Sequence, residues 1–396
     1  MEELDLSLMF HNEQSLATIQ SLLDAFESQF RVHVNLTVLS WATGHSELTR
    51  EAIYGRGPDV SEIGSTWTSG LIAMNALRPF LAQEMAQIGK PEEFIPASWD
   101  TGRTPGDERM WAIPYTADIY LIYYRKDLLR KAGLDEAAAF QSHAQIDETV
   151  KRLKQIGIEM PILLPDDRHT LLHTLASWVW AQGGDFCSAD GKQILFDQPE
   201  SLAAMRAYFG LLRYLSADAL SKAGPEKSID LFCKGNSAIH FHDLPVMAPE
   251  QGMLPEVFEN WGIAPFPKPY FMGGTNLVVW QHSPHVKAAV NLVQFMTSVT
   301  SMTKVVIPFR MLPPRLTVMS TPEFLEDPLL KNLRDAASAG RSYPSVKLWG
   351  VIEERLINTL FNIRSAALSD PQADLDALIR EKIVPLAEKL NIALSQ

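Results

Sequence analysis

The chain has 396 residues, 46% of them hydrophobic and 21% charged, too many for one simple core, and it reads as two domains. Its 47 acidic against 35 basic residues give a net charge of −12, and no Lys/Arg run offers a track for phosphates, so nucleic acid and anionic membrane surfaces are excluded as main partners. No apolar stretch approaches the roughly 18 residues of a membrane-spanning helix, and the acidic amino end MEELDLSLMF is unlike the basic start of a signal peptide.

Residues 6–10 are an apolar run closed by His11, Asn12 and Glu13, after which Leu16, Ile19, Leu22, Leu23, Phe26 and Phe30 recur at helical spacing. Val32, Val34, Leu36 and Val38 then alternate with polar residues, so the opening predicts a β-α-β unit with parallel strands. Gly55, Gly57 and Pro58 precede a short strand at 59–63 and a helix running to about Leu77; the alternation defines an α/β class. A second block is predicted from Pro114: a strand at 119–124, a helix from Asp127 ended by Gly133, a helix capped by Asp147 and ending at Gly157, and a strand at 161–164. Helices near 170–182, 199–215 and 228–234 and a strand at 238–241 complete it. The proline-rich segment 261–270 is too poor in donors for a central strand and reads as a crossing between blocks. After Pro313 and Pro314 the chain is helical, near 322–340, 346–366 and 371–394.

His169 and His173 are four apart on a predicted helix, and His240 and His242 are two apart on a strand beside Asp243. Each pair can present two ligands on one face, but no third ligand stands at motif spacing, and the expectation is no metal and no cofactor. The adjacent carboxylates Glu353 with Glu354 and Asp166 with Asp167 read as solvated surface. Nucleophile elbow, phosphate-loop and dinucleotide fingerprints are missing from the sequence, so no reaction is indicated. Cys187 and Cys233 leave room for one disulfide or two free thiols. Aromatic residues fall where predicted elements meet loops: Trp41, Trp67, Tyr115, Trp178, Trp180 and Trp349. Such rings stack on the C–H faces of sugars when nearby polar groups bond the hydroxyls, although any single tryptophan is more often core.

The runs GRGPDVSEIGSTWTSGL (55–71) and MWAIPYTADIYLIYYRKDLLRKAGL (110–134) resemble the family 1 extracytoplasmic solute-binding proteins of ABC transporters, the group of maltose and oligosaccharide binders. Gly183 and Gly184, the segment 232–239, Pro265 and Pro267 before Gly273 and Gly274, and Pro313 with Pro314 follow in the family's order. The resemblance spans nearly the whole chain. It implies a two-lobed periplasmic-binding-protein-like fold of type II with a helical C-terminal segment. The implied amino-terminal lobe is 1–114 and 265–312, the carboxy-terminal lobe is 115–264 and 313–396, and three crossings lie near 114–119, 260–265 and 311–316.

The resemblance also implies the function: the substrate-binding component of an ABC importer, holding a carbohydrate between closing lobes, without catalysis, and delivering it to permease subunits. A monomer that is periplasmic, or extracellular and membrane-associated, is expected. Because no leader precedes Met1, a cytosolic or fused sugar sensor is the alternative, and a carbohydrate-active enzyme a more distant one. Carried over residue by residue, stacking falls to Trp67 and Trp349, hydroxyl acceptance to Asp118 and Asp243, and the place of a ring-stacking tyrosine to His173. Further ligand contacts are implied for Asn12, Glu13, Trp41, Tyr115, the backbone of Gly274, and Arg310, which alternatively serves an ion pair. Two departures stand out: Arg125, expected to face solvent, replaces a common asparagine, and residues 139–148 replace a family motif.

Overall fold

Leu4, Leu6 and Leu8 are fully buried while Glu2, Glu3 and Asp5 face water, and this alternation draws Glu2–Met9 into strand β1. The computed structural model describes residues 2–215, 227–243, 253–306, 311–370 and 372–395. Asn12 caps the helix Glu13–Phe30 by accepting from the Ser15 N–H at 2.8 Å, and the Ser15 hydroxyl returns the contact. The chain then enters β2 (Val32–Leu39), parallel to β1 in unbroken register from Glu2 opposite Val32 to Met9 opposite Leu39. The predicted β-α-β opening is therefore present, and the helical spacing of apolar residues is realised as Ile19, Leu22, Leu23 and Phe26 buried in one core with Leu4, Leu6, Val32 and Val34 of the two strands.

The described chain divides into two compact units. The first comprises Met1–Ile119, Met272–Ser338 and Ser342–Gly350. Its sheet runs in the order β2, β1, β3 (Val60–Gly64), β7 (Tyr270–Val279) and the first half of β4 (Ala112–Arg125). β1 and β3 are parallel, whereas β7 is antiparallel to both β3 and β4. The helix Gly44–Tyr54, absent from the predicted elements, connects β2 towards β3. The second unit comprises Tyr120–Phe271, Ala339–Arg341 and Val351–Gln396. There the second half of β4 is flanked by β5 (Ile239–Asp243) and β6 (Trp261–Pro265), both antiparallel to it. The short β8 (Gly340–Arg341) pairs with Tyr270 and Phe271. The last two helices are Trp349–Ser369 and Leu375–Leu394, and the latter packs on the helix Pro199–Gly210. Among the described residues, no helix is long and apolar enough to cross a membrane.

Several expectations need correction. Residues 261–265 form an edge strand rather than only a connection, because Pro265 sits at its end, where a missing donor costs little. Residues 161–164 contribute an isolated bridge from Leu163 to His240 instead of a strand. Ser142, not Asp147, caps the helix His143–Gln155. The proline at 328 divides the predicted helix 322–340 into Pro322–Glu326 and Pro328–Ala337. Residues 313–338, expected in the second lobe, cluster with the first unit, where Ile95 N–H bonds Pro314 O and Leu316 N–H bonds Glu93 O, both at 2.8 Å. Arg125 is largely buried and paired with Asp127 at 2.7 Å, so it does not face solvent. Both cysteines are buried thiols, and burial pushes Cys187 up to about 12 and Cys233 up to about 11.

Buried imidazoles give the fold a pH dependence. Burial lowers His240 to about 3 and His143 to about 4, and His143 also sits in the first turn of its helix, where a positive charge is disfavoured. Below about pH 6.5 the unfolded chain takes up protons that these folded rings refuse, so stability falls with pH, by about 2 kcal/mol per ring between pH 7 and 5. His242 opposes this: burial disfavours its charge, but the Asp243 carboxylate outweighs that and raises it. The His143 ring lies flat on Trp178 at 4.1 Å. His143→Phe keeps that stack without titrating, so thermal unfolding of the variant should lose about 2 kcal/mol less than the parent from pH 7 to 5. An unaltered loss would show that His143 does not resist protonation.

Candidate ligand-binding site

β1, β2 and β3 run parallel, so the loops leaving their carboxyl ends share one edge of the first unit's sheet. In open α/β sheets that edge is where ligands bind. β1 ends in His11, Asn12 and Glu13, β2 ends in Trp41, and β3 ends in the short turn of helix Ser65–Trp67. The side chains meet there. Trp41, 43% exposed, stands edge-on to Trp67 at 5.8 Å and to His11 at 5.9 Å, and His45 lies against Trp67 at 4.9 Å. Gly64 makes this possible, since a Cβ there would lie 2.9 Å from the Trp67 ring.

Beneath the aromatic edge is a buried carboxylate. Glu62 accepts from the Met9 N–H at 2.9 Å and meets His11 Nε2 at 3.0 Å. Tyr115 belongs with it. Pro114 pairs with Asn276 and Thr116 with Thr275, leaving Tyr115 as the extra residue of a β-bulge, a device that re-aims a side chain. The Tyr115 phenol is buried without a hydrogen-bond partner among the described residues. Burial and then the Glu62 charge push its pKa up, so it remains a donor. Glu62 and His11 escaped the sequence reading as site residues. The available signal was a carboxylate interrupting the apolar β3, whose five positions are all buried.

The other sequence candidates fall as follows. Asn12 is occupied as a helix cap and Glu13 is exposed. Asp118 is half-buried on β4 opposite Gly273, and Gly274 faces Ala117 across the same ladder. Trp349, proposed to stack on sugar, is only 1% exposed and is stacked on Tyr343 at 4.2 Å. Arg310 lies outside the described residues. In the second unit, His173 is stacked flat on Phe271 at 4.1 Å with Tyr120 edge-on at 5.4 Å. Burial, followed by the neighbouring His169, lowers its pKa and keeps the ring neutral. Asp243 pairs with His242, and its carbonyl accepts from the Tyr123 hydroxyl at 2.9 Å. The carboxylate pairs are not idle surface: Asp166 bonds Ser228, Asp167 caps the helix Arg168–Ala181, and Glu353 is 5% exposed.

This edge of parallel strands, with aromatic rings over a buried acid, is an arrangement for holding a small polar molecule. A family model described as bacterial extracellular solute-binding protein matches residues 11–302. The chain belongs to that family. The "Probable ABC transporter-binding protein" of Deinococcus radiodurans is 25% identical over 202 residues, which cover 48% of this chain and 47% of that protein. The chain thus spans about half the length of that relative. The fold is shared much more widely. The sugar-binding protein MalE from the phytopathogen Xanthomonas citri superposes with a TM-score of 0.82 at 21% identity, covering 99% of this chain and 97% of that one. Maltose-bound MalE3 of T. maritima gives 0.80 at 21% identity over 99% and 100%. UgpB from Mycobacterium tuberculosis in complex with glycerophosphocholine gives 0.80 at 18% identity over 98% of each chain.

Proposed function

We propose that this solute-binding protein captures a carbohydrate and delivers it to the permease subunits of an ABC importer. The observation that carries the reading is the cluster of Trp41, Trp67, His11 and Glu62 at the carboxyl ends of β1, β2 and β3. Tryptophan faces suit the C–H faces of a sugar, and Glu62 and the Tyr115 hydroxyl suit its hydroxyls. The maltose bound by a structural relative favours the same ligand class. Asp118 and the Gly274 backbone of the same unit contribute further contacts, with closure on the sugar as the signal the permease reads. The protein acts as a monomer on the outer side of the cytoplasmic membrane, without turnover and without nucleic acid.

Trp67→Ala is expected to weaken sugar binding by about 1–3 kcal/mol in calorimetry while leaving the melting temperature nearly unchanged. Trp349→Ala should behave differently, lowering stability by about 3–5 kcal/mol, because its ring is core. Unchanged sugar affinity in Trp67→Ala would remove the aromatic edge from the binding site. The complex of UgpB favours a second reading, a glycerophosphodiester ligand, which the same titration distinguishes.

A further inference from the structure

We propose that His169, His173 and Glu353 of the second unit form a binding site for a divalent transition metal, with zinc as its best-matched ion. The two histidines stand four apart on the helix Arg168–Ala181, so both project from one face. Sequence spacing offers no third ligand, but the fold supplies one: Glu353, near the start of the helix Trp349–Ser369. One ligand atom from each of the three residues lies within 4.8 Å of the others. Among the described residues no other three histidines, cysteines or carboxylates converge in this way.

The surroundings suit coordination. The ring of His173 is oriented by its stack on Phe271 and by the edge of Tyr120, which fixes the direction of its nitrogens. His169 is exposed and can swing inward, and Glu353 brings one negative charge to a place that is 5% exposed. Tetrahedral zinc, with bonds of about 2.0–2.2 Å to nitrogen and oxygen, needs donors closer together than they now stand, so the ion would draw the ligands inward. Two imidazoles and one carboxylate are a borderline donor set that suits zinc, whereas calcium and magnesium prefer oxygen alone. Three protein ligands leave a fourth position for water or for an oxygen of a bound molecule. His240 and His242 form no comparable site: His240 is fully buried with Nδ1 against Leu163 O, and His242 is paired with Asp243.

This site stands whether or not the ligand is a sugar. The test is a calorimetric titration of the chelator-treated full chain with zinc chloride, without sugar. One ion per chain is expected, with affinity reduced roughly tenfold or more in both His169→Ala and Glu353→Gln. His169 is exposed, so its variant should fold and keep the parent melting temperature in chelator. His33→Ala, removing a ring paired with Glu27 elsewhere, should bind zinc like the parent. Cobalt chloride should give the visible absorption of a four-coordinate site, and calcium chloride should give no binding heat. Equal zinc affinity in parent and His169→Ala, or no zinc binding by the parent, would overturn the proposal. Sugar binding that persists in chelator while zinc binding is absent would overturn it alone and leave the transport reading intact.

Discussion

Replacing Gly274 by alanine is expected to destabilise the first unit by about 3–5 kcal/mol, the largest effect of any single methyl group at the candidate site. Gly274 has φ of +129°, a region L-residues rarely adopt. A Cβ there would stand 2.1 Å from Thr116 O and 2.8 Å from Ala117 Cα, both backbone atoms of β4. No rotamer relieves such a clash, so β4 and β7 must separate. They are held together next to this point by the Thr116 and Thr275 hydroxyls at 2.8 Å, and the bulge that carries Tyr115 begins there. Urea unfolding should therefore show a lowered midpoint, and sugar affinity should fall in whatever variant remains folded, because the bulge shifts with the strand. A Gly274→Ala protein with the parent's midpoint would show that the two strands are not tightly apposed.

Arg315→Met should cost about 2–4 kcal/mol, without touching the aromatic edge. The Arg315 side chain is 6% exposed, donates to Glu93 Oε2 at 2.6 Å and to Thr297 O at 3.2 Å, reaches Ile88 O, and lies over the Phe94 ring at 4.5 Å. Glu93 is 39% exposed and can be resolvated, so the loss comes mainly from two carbonyls deprived of a donor and from the ring contact. Arg315→Lys keeps the charge but not the planar fork, and should recover only part of the loss. Calorimetric melting of the three proteins checks the order parent, lysine, methionine. Equal melting of parent and methionine variants would mean that 311–316 is not fastened to the first unit.

Arg315 also shows why the sequence reading did not group the residues after 312 with the first unit. Pro313 and Pro314 break regular structure, as a connection between lobes would, but a buried guanidinium that binds carbonyls from distant residues leaves no local pattern. The strand-helix-strand opening was legible because β1, the helix Glu13–Phe30 and β2 each bury one face, so the period of the apolar residues is the period of the element. Trp41 and Trp67 were legible as loop-edge aromatics. Trp349 was not distinguishable from them by position, and its burial on Tyr343 is a tertiary fact. The Glu62 charge on β3 is felt by Tyr115 on β4, far away in sequence, and Glu353 comes within 4.8 Å of His169 and His173 from a helix equally far away. Long-range groupings of this kind are set by packing and not by spacing.

The central claim is reversible capture of an unmodified carbohydrate. It is tested most directly by isothermal titration of the full chain with maltose-type oligosaccharides, followed by chromatography of the sugar recovered. Saturable binding of one sugar per chain, with the sugar returned intact, is the predicted result. Absence of binding to every sugar, or recovery of cleaved sugar, would contradict it.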